Sequence, residues 1–193
     1  MRHFVYFSRH AQTSGNFDVH DLMRAGRMDI AIHSLIAGLF LSHDFRKDAI
    51  FHLVFYGQPD PPKHIEIQIK DETVISKKDV ANLIKKVLYK YREGEKHEVF
   101  PGISVEKKSV MKLIEELEKE GNEIFILDKK GESLRKVKIP EDCAFVLGDQ
   151  DGIPLKELKR LKKLMTPVSI GPKTYFASQT VAIVNNELDV RGI

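Results

Sequence analysis

Two glycine-containing segments in the C-terminal part of the chain carry the residue types that most favour a binding pocket. They contain Gly148 and Gly171, and each follows a short apolar run, residues 144–147 and 168–170. A third apolar run, residues 124–127, ends at an aspartate. Runs that are apolar at every residue are typical of strands buried on both faces, as in a parallel sheet covered by helices. Ligands of open α/β sheets bind beyond the carboxyl ends of such strands, so these three ends predict one pocket.

The same glycines have a simpler interpretation, because Gly and Pro are the ordinary residues of turns. Gly148, Gly152 and the pair Gly171-Pro172 would each end or redirect a strand without binding anything. Three such loops, with no charged residue inside the strands, favour a shared pocket about as much as separate turns. The residues alone leave both interpretations open.

Basic side chains near predicted loops in the first quarter of the chain indicate a surface for phosphates. Arg24 and Arg27 flank Gly26, and a turn there would present two cations together, an arrangement that suits phosphate groups. The further candidates from this region are Arg9, His10, Arg46 and Lys47. Solvation of an ordinary charged face is the alternative for each of them. The net charge of +3 permits an anionic partner without requiring one.

Cysteine usage and hydropathy restrict the class of protein. The single cysteine, Cys143, excludes an internal disulfide and a multi-cysteine metal site, and its apolar neighbours predict a buried side chain rather than a nucleophile. The histidines do not pair with cysteine or carboxylate at metal-ligand spacing, so no metal is expected. No apolar run reaches membrane-spanning length, and the first residues lack a signal-peptide pattern. A cytoplasmic protein without membrane contact is therefore predicted.

Several common catalytic motifs are absent from the sequence. There is no GxGxxG after the first apolar run and no GxxxxGK[ST], which argues against dinucleotide and P-loop nucleotide binding. There is neither GxSxG nor HExxH, which argues against α/β-hydrolases and zinc proteases.

Hydrophobic periodicity predicts alternating strands and helices in a single α/β domain that covers residues 1–193. The predicted strands are residues 3–7, 49–56, 65–69, 124–127, 144–147 and 168–170. The predicted helices are residues 30–41, 80–91, 110–117, 154–164 and 177–188. Pro154 suits the first turn of its helix, where a missing N–H costs nothing.

Six segments together resemble the SPOUT methyltransferase superfamily and, within it, the archaeal-type tRNA pseudouridine(54) N1-methyltransferases. The segments are FSRHA at residues 7–11, AGRMD at 25–29, AGLFLSH at 37–43, FVLGD at 145–149, SIGPKTYFAS at 169–178 and VNNELD at 184–189. They span nearly the whole chain, and their combination is far more specific than any single loop. The eukaryotic rRNA pseudouridine N1-methyltransferases are more distant relatives.

The resemblance implies a fold, a cofactor and an assembly. The residues from about 123 to 193 would form a C-terminal trefoil knot that holds S-adenosylmethionine, and the chain would be an obligate homodimer. The matching motif positions for cofactor binding are Leu127, Gly148, Ile170, Gly171, Pro172, Lys173, Thr174, Tyr175 and Thr180. Relatives often carry cysteine where this sequence has Thr180, so no catalytic role is assigned to that side chain.

The implied reaction is methylation of N1 of pseudouridine at position 54 in the tRNA T-loop, which gives N1-methylpseudouridine. The N-terminal part would face RNA, and the candidate contacts are Arg9, His10, Arg24, Arg27 and Arg46. Asp29 is the candidate that orients the base or accepts its N1 proton, and its alternative role is N-cap of the next helix. Two other functions stay open: a pseudouridine in ribosomal RNA as substrate, and an RNA-binding module of the same fold without transferase activity.

Overall fold

Strands and helices alternate along the chain in the computed structural model, which describes residues 1–153 and 155–193, apart from the side chains of residues 155–157. Pro154, predicted to begin a helix, lies outside the described residues. The elements are β1 (Arg2–Ser8), α1 (Met28–Leu39), β2 (Ala49–Phe55), β3 (Lys63–Gln68), α2 (Val80–Tyr89), β4 (His97–Phe100), β5 (Ile103–Glu106), α3 (Val110–Lys119), β6 (Glu123–Ser133), β7 (Cys143–Gly148), α4 (Leu155–Leu161), β8 (Thr166–Ser169) and α5 (Ala177–Arg191).

The strands form one sheet in the order β4-β5-β3-β2-β1-β7-β6-β8. β1 pairs in parallel with β2 and β7, and β6 pairs in parallel with β7 and β8. The strands β3, β5 and β4 complete one edge in antiparallel pairs. Every residue of β1 is buried, as expected for a strand covered on both faces. This mostly parallel sheet confirms the predicted α/β class.

Helices cover both faces of the sheet. Leu35 of α1 and Val184 of α5 belong to the larger cluster of buried apolar residues, which also includes α2. Leu113 of α3 and Leu161 of α4 belong to a smaller cluster on the other face. The two apolar cores lie between these helices and the sheet. The carboxyl ends of the parallel strands are therefore covered by loops.

Two expectations from composition can be compared with this fold. Cys143 is buried at the start of β7, where burial raises the pKa of its thiol to about 11, and its predicted core role is confirmed. Within the described residues, none of the helices combines the length and the apolar character needed to cross a lipid bilayer.

The start of α1 differs from the prediction. The helix begins at Met28, and the residue before it, Arg27, occupies the N-cap position with a left-handed backbone, φ 62°. Asp29 lies in the first turn, so its predicted N-cap role was wrong. A carboxylate in the first turn still favours the helix through the macrodipole. The left-handed turn also lets the side chains of Arg27 and Asp29 meet.

The loop after β1 packs closely against two glycines, Gly26 and Gly57. A Cβ added at Gly26 would stand 1.8 Å from the carbonyl oxygen of His10, and one at Gly57 would stand 2.3 Å from the same atom. The Gly57 N–H donates to the carbonyl of Ala11 at 2.9 Å. Because no side chain fits at either position, the loop can pack directly on the turn that leads into α1. The residues after β1 are thereby placed next to Arg27.

Candidate active site

A cavity of about 650 Å³ opens at the carboxyl ends of β7 and β8 and beside the middle of β6, where the apolar runs predict a pocket. The predicted strand end at Leu127 was wrong, because β6 continues to Ser133 after a shift in its register with β8. The first turns of α1 and α5 supply further walls, which include Asp29 and Thr180. The predicted cofactor residues in its lining are Leu127, Gly148, Ile170, Gly171, Lys173, Thr174, Tyr175 and Thr180. Pro172 is exposed and is not part of the lining. The fold thus brings these residues to one cavity, and their contact with a cofactor stays a prediction.

Gly148 ends β7 at the floor of the cavity. A Cβ at this position would stand 2.6 Å from the carbonyl carbon of Gly152 and 2.7 Å from its Cα. These distances are far below ordinary contact, so the loop of residues 149–153 can fold back over the strand only because residue 148 has no side chain. The glycine therefore shapes the cavity through the protein's own backbone.

The loop after β8 forms one wall through local contacts. The hydroxyl of Ser169 donates to the carbonyl of Gly171 at 3.1 Å and accepts from its N–H at 3.3 Å. A Cβ at Gly171 would stand 3.0 Å from the hydroxyl oxygen of Tyr175. The absence of a side chain at Gly171 lets the tyrosine lie back against its own loop, which gives the wall a defined shape.

Arg27 and Asp29 form a bidentate pair at the cavity wall. The guanidinium donates from Nε to Oδ1 at 3.0 Å and from Nη2 to Oδ2 at 2.9 Å. These hydrogen bonds hold the pKa of Asp29 below its ordinary value, so the group is ionised at neutral pH. The carboxylate is thus a fixed acceptor rather than a strong base.

Asp149 is a cavity residue to which the sequence gave no role. Its carboxylate is only 7% exposed and accepts hydrogen bonds from the Ser8 hydroxyl at 2.8 Å and from the N–H of Asp151 at 3.0 Å. The oxygen of Ser8 in turn accepts from the N–H of Ala11 at 3.0 Å. These bonds join the loop after β7 to the loop after β1. Two features of the sequence pointed to Asp149: its place directly after a buried strand and its place in the FVLGD segment.

The cavity lining combines apolar and charged side chains. The apolar ones are Leu127, Leu147, Val168 and Ile170, and the charged ones are Arg27, Asp29, Asp128, Lys129, Asp149 and Lys173. Burial raises the pKa of Asp128, but hydrogen bonds from Lys162 and from the Lys130 N–H outweigh it and keep that pKa below its ordinary value. Such a lining suits a ligand with a flat apolar part and a part that carries both signs of charge.

The cations predicted to contact phosphates do not all lie together. Arg27 lines the cavity, and Arg9 and His10 are exposed on the loop after β1. The side chain of Arg24 is 90% exposed and pairs with Asp21 at 3.1 Å. All four residues lie in the segment between β1 and α1, and only Arg27 is part of the cavity lining.

Arg46 is tied to the C-terminal helix instead. Its guanidinium donates two hydrogen bonds to the carboxylate of Asp189, at 2.8 and 2.5 Å, and its side chain is 11% exposed. The same carboxylate accepts from the buried Arg2 at 2.9 Å. This network links α5 to the residues before β2. The Arg46 guanidinium, which would have to contact a phosphate, is already paired with Asp189.

We expect Arg46→Gln to lower stability by about 1 kcal/mol, because a largely buried charge pair is lost. For a chain of this size that corresponds to a fall of about 2–4 °C in Tm. Arg24→Gln is the matched control, since it removes an exposed cation from an ion pair that contributes little to stability. Thermal unfolding and filter binding of tRNA would be measured for both. Weaker RNA binding by Arg46→Gln at unchanged Tm would contradict the structural role.

Comparison with known proteins bears on this site. The sequence model of the SAM-dependent RNA methyltransferase family matches residues 1–193. The chain is 31% identical over 194 residues to the tRNA (pseudouridine(54)-N(1))-methyltransferase of Methanococcoides burtonii, covering 98% of this chain and 96% of that protein. It is 33% identical to the protein of the same name from Pyrococcus abyssi, covering 100% of both chains.

A solved structure shares the fold. The crystal structure of Archaeoglobus fulgidus Nep1 bound to S-adenosylhomocysteine superimposes with a TM-score of 0.64, at 14% sequence identity, over 100% of this chain and 99% of that chain. At this identity the likeness concerns the arrangement of strands and helices alone.

Proposed function

The chain belongs to the family of SAM-dependent RNA methyltransferases, and we propose that it methylates N1 of pseudouridine at position 54 in the tRNA T-loop. The product would be N1-methylpseudouridine. One observation carries the proposal: the cavity beside β6 and at the carboxyl ends of β7 and β8 gathers nearly all the predicted cofactor residues, with Arg27 and Asp29 in its wall. The names of relatives that match over nearly the full chain support the choice of base and position.

The cavity fits S-adenosylmethionine in size and in chemistry. Its volume of about 650 Å³ lies within the range usual for ligands of this size. Leu127, Leu147 and Ile170 would hold the adenine, with backbone groups of the loops as hydrogen-bonding partners. The carboxylates and lysines of the lining would hold the charged amino-acid end. Thr180 at the start of α5 would complete the wall.

The chemistry of the target base explains why the protein needs few catalytic groups. S-adenosylmethionine supplies a methyl group on a positively charged sulfur, which is already activated for transfer. Pseudouridine is attached to its ribose through carbon, so its N1 carries a proton and can be alkylated, whereas N1 of uridine is already substituted. The protein's task is to align the base with the methyl group, which can lower the barrier by several kcal/mol. This transfer requires no metal.

Asp29 would act on the proton of N1. As the new N–C bond forms at N1, the N–H becomes strongly acidic, so even a carboxylate of low pKa can accept its proton and pass it to solvent. Arg27 would keep that carboxylate in place through its two hydrogen bonds. The base must leave the stack to reach the cavity, which costs less in a tRNA loop than in a duplex.

The proposed RNA surface surrounds the mouth of the cavity. Arg9, His10, Arg24 and Arg27 would contact phosphates and hold the T-loop in register. Arg46 would act on this surface only indirectly, because its guanidinium is bound to Asp189.

Residues 1–193 would form one domain, knotted near its C-terminus and paired in a homodimer. The knot is supported by the superfamily fold and by the close approach of β6 and β8, both within residues 123–193: a Cβ at Gly131 would stand 2.5 Å from the backbone of Pro167 and Val168. The dimer is supported by two large apolar side chains at the two ends of α5, Phe176 and Val190, which are 78% and 77% exposed. A monomer in sedimentation at micromolar concentration would contradict it. With one buried cysteine and no disulfide, the cytoplasm is the compartment we propose.

The experiment that tests the function compares three RNA substrates. Transfer RNA with pseudouridine at position 54, the same tRNA with uridine there, and an rRNA fragment with pseudouridine would each be incubated with protein and S-adenosylmethionine. Mass spectrometry of the nucleosides should find N1-methylpseudouridine only in the first. Product from the rRNA fragment would favour the rRNA alternative, and tRNA binding without any product would favour the RNA-binding module. Equal methylation of uridine tRNA would overturn the base assignment.

A further inference from the structure

Three buried histidines lie side by side on neighbouring strands, away from the cavity. His3 of β1, His52 of β2 and His64 of β3 share the face of the sheet that α3 covers, and His52 is only 1% exposed. His3 Nδ1 lies 3.0 Å from His52 Nε2, and His52 Nδ1 lies 2.9 Å from His64 Nε2. Burying three imidazoles in the middle of a sheet requires a partner for each ring nitrogen turned inward.

The hydrogen bonds of this row end at a carboxylate. His64 Nδ1 lies 3.1 Å from Glu106 of β5, whose other contacts include Lys108 at 2.8 Å. Because a carboxylate only accepts, His64 donates from Nδ1, which leaves its Nε2 as the acceptor for His52. His52 then donates from Nδ1 and accepts at Nε2 from His3. Three neutral rings, each protonated on Nδ1, satisfy the whole row without a metal.

A second carboxylate gives the centre of the row the composition of a metal site. Glu66 lies on β3, directly opposite His52 of β2. Its Oε2 is 3.9 Å from His52 Nδ1. One ligand atom from each of His52, His64 and Glu66 lies within 4.8 Å of the others. Two imidazoles and a carboxylate are a common set of protein ligands for zinc, with solvent in the fourth position.

The distances between these atoms are close to those that zinc needs. Nitrogen ligands about 2.0–2.1 Å from a tetrahedral zinc stand about 3.3 Å apart, and the two ring nitrogens are now 2.9 Å apart. A separation by a few tenths of an ångström would admit the ion. The bond from His64 Nδ1 to Glu106 matches the carboxylate that usually orients a zinc-bound histidine.

We propose that His52, His64 and Glu66 bind a zinc ion, with His52 coordinating through Nδ1, His64 through Nε2 and Glu66 through its carboxylate. His52 then carries its proton on Nε2 and donates it to His3, whose own proton moves to its outer nitrogen. No ring gains or loses charge, since two tautomers change and His64 keeps its bond to Glu106. Spacing in the sequence does not predict this site, because the ligands lie on two different strands and meet only through the pairing of β2 with β3.

The carboxylate of Glu66 is partly exposed to solvent. Glu66 also lines a second cavity of about 270 Å³, together with Gln68, Lys96, Glu98 and Ser104. The ion could enter from this cavity, and a water molecule in it could complete the coordination. Lys96, which pairs with Glu66 at 2.9 Å, is exposed and can turn away to solvent. None of the three proposed ligands lines the transfer cavity, so the ion would take no direct part in methyl transfer.

The test uses the full chain after chelation, without RNA or cofactor. Calorimetric titration with zinc should give one ion per chain, and titration with cobalt(II) should give the intense visible absorption of a tetrahedral site. Glu66→Gln should weaken zinc binding at least tenfold, since it removes a ligand from a partly exposed position that tolerates the change. Glu98→Gln is the matched control, because it removes a carboxylate from the same cavity without touching the proposed ligands.

The results distinguish zinc binding at the proposed site from no binding and from binding elsewhere. Zinc should also raise the Tm of the wild-type protein and of Glu98→Gln. The rise should be much smaller for Glu66→Gln. No stoichiometric binding would overturn the proposal and leave the histidines as a hydrogen-bonded row alone. Equal binding by the two glutamine variants would also overturn it, by showing that the ion sits elsewhere. None of these measurements depends on methyl transfer, so a failure here would leave the proposed function untouched.

Discussion

Asp29→Asn is expected to slow methyl transfer by about 10²–10⁴-fold, the range usual for loss of a positioned proton acceptor. Asparagine has the shape of aspartate and can still accept one hydrogen bond from Arg27, but it cannot take the N1 proton. Stability should change by no more than about 1 kcal/mol, because the pair with Arg27 is partly exposed and the macrodipole term is small. Single-turnover rates on pseudouridylated tRNA and thermal unfolding would give the two quantities.

The control for this variant is Asp21→Asn. It also removes the carboxylate of an arginine–aspartate pair, at 3.1 Å from Arg24, but outside the cavity. We expect it to leave the transfer rate nearly unchanged. Full activity in Asp29→Asn would exclude this residue as the acceptor and would leave solvent in that role. Since Arg27 holds the pKa of Asp29 below its ordinary value, lowering the pH from 8 to 6 should not slow the reaction through this group.

Gly148→Val is expected to weaken S-adenosylmethionine binding by up to about a hundredfold. Its Cβ would stand 2.6–2.7 Å from the backbone of Gly152, and backbone cannot yield as a side chain can. The loop of residues 149–153 must therefore move, at a cost of about 1–3 kcal/mol for such overpacking. Part of this cost falls on the cofactor-bound state, because the same loop lines the cavity, and affinity changes tenfold per about 1.4 kcal/mol.

Asp151→Val is the control for Gly148→Val. It places the same branched side chain in the same loop, but at an exposed position outside the cavity lining. Calorimetric titration with S-adenosylmethionine should give nearly the wild-type affinity for this control. If both variants bind as the wild type does, the loop after β7 is not part of the cofactor site. If both lose affinity equally, the effect comes from the added valine rather than from the contact with Gly152.

The two variants test different parts of one arrangement. Asp149 connects them, since its hydrogen bonds to Ser8 and to Asp151 join the loop after β7 to the loop after β1. A displaced loop in Gly148→Val would loosen these bonds, so this variant is expected to affect RNA positioning as well as cofactor affinity. Asp29→Asn leaves the bonds intact and should affect only the transfer step.

Local patterns in the sequence were enough to predict the elements that build the cavity. Residues 144–147 are apolar at every position, and runs of this kind are typical of strands that are buried on both faces of a parallel sheet. The carboxyl ends of such strands lie at one edge of the sheet, so the sequence predicts a pocket near Gly148 and Ile170 as one of two interpretations. The tertiary structure decides between a shared pocket and separate turns, since it brings these loops together around one cavity. β4 and β5 were missed because each has only four residues and little periodicity to detect.

The roles of single side chains depended on contacts between residues far apart in the chain. Arg46 belongs with Asp189 rather than with Arg24 and Arg27, because α5 folds back onto the residues before β2. His52 and His64 meet because β2 and β3 pair with a register that sets Val54 opposite His64. Residue types and spacing determine which elements form, since the apolar pattern of a short segment is enough to favour its burial as a strand or helix. Which polar atoms meet is decided by strand register and helix packing, and those are properties of the whole chain.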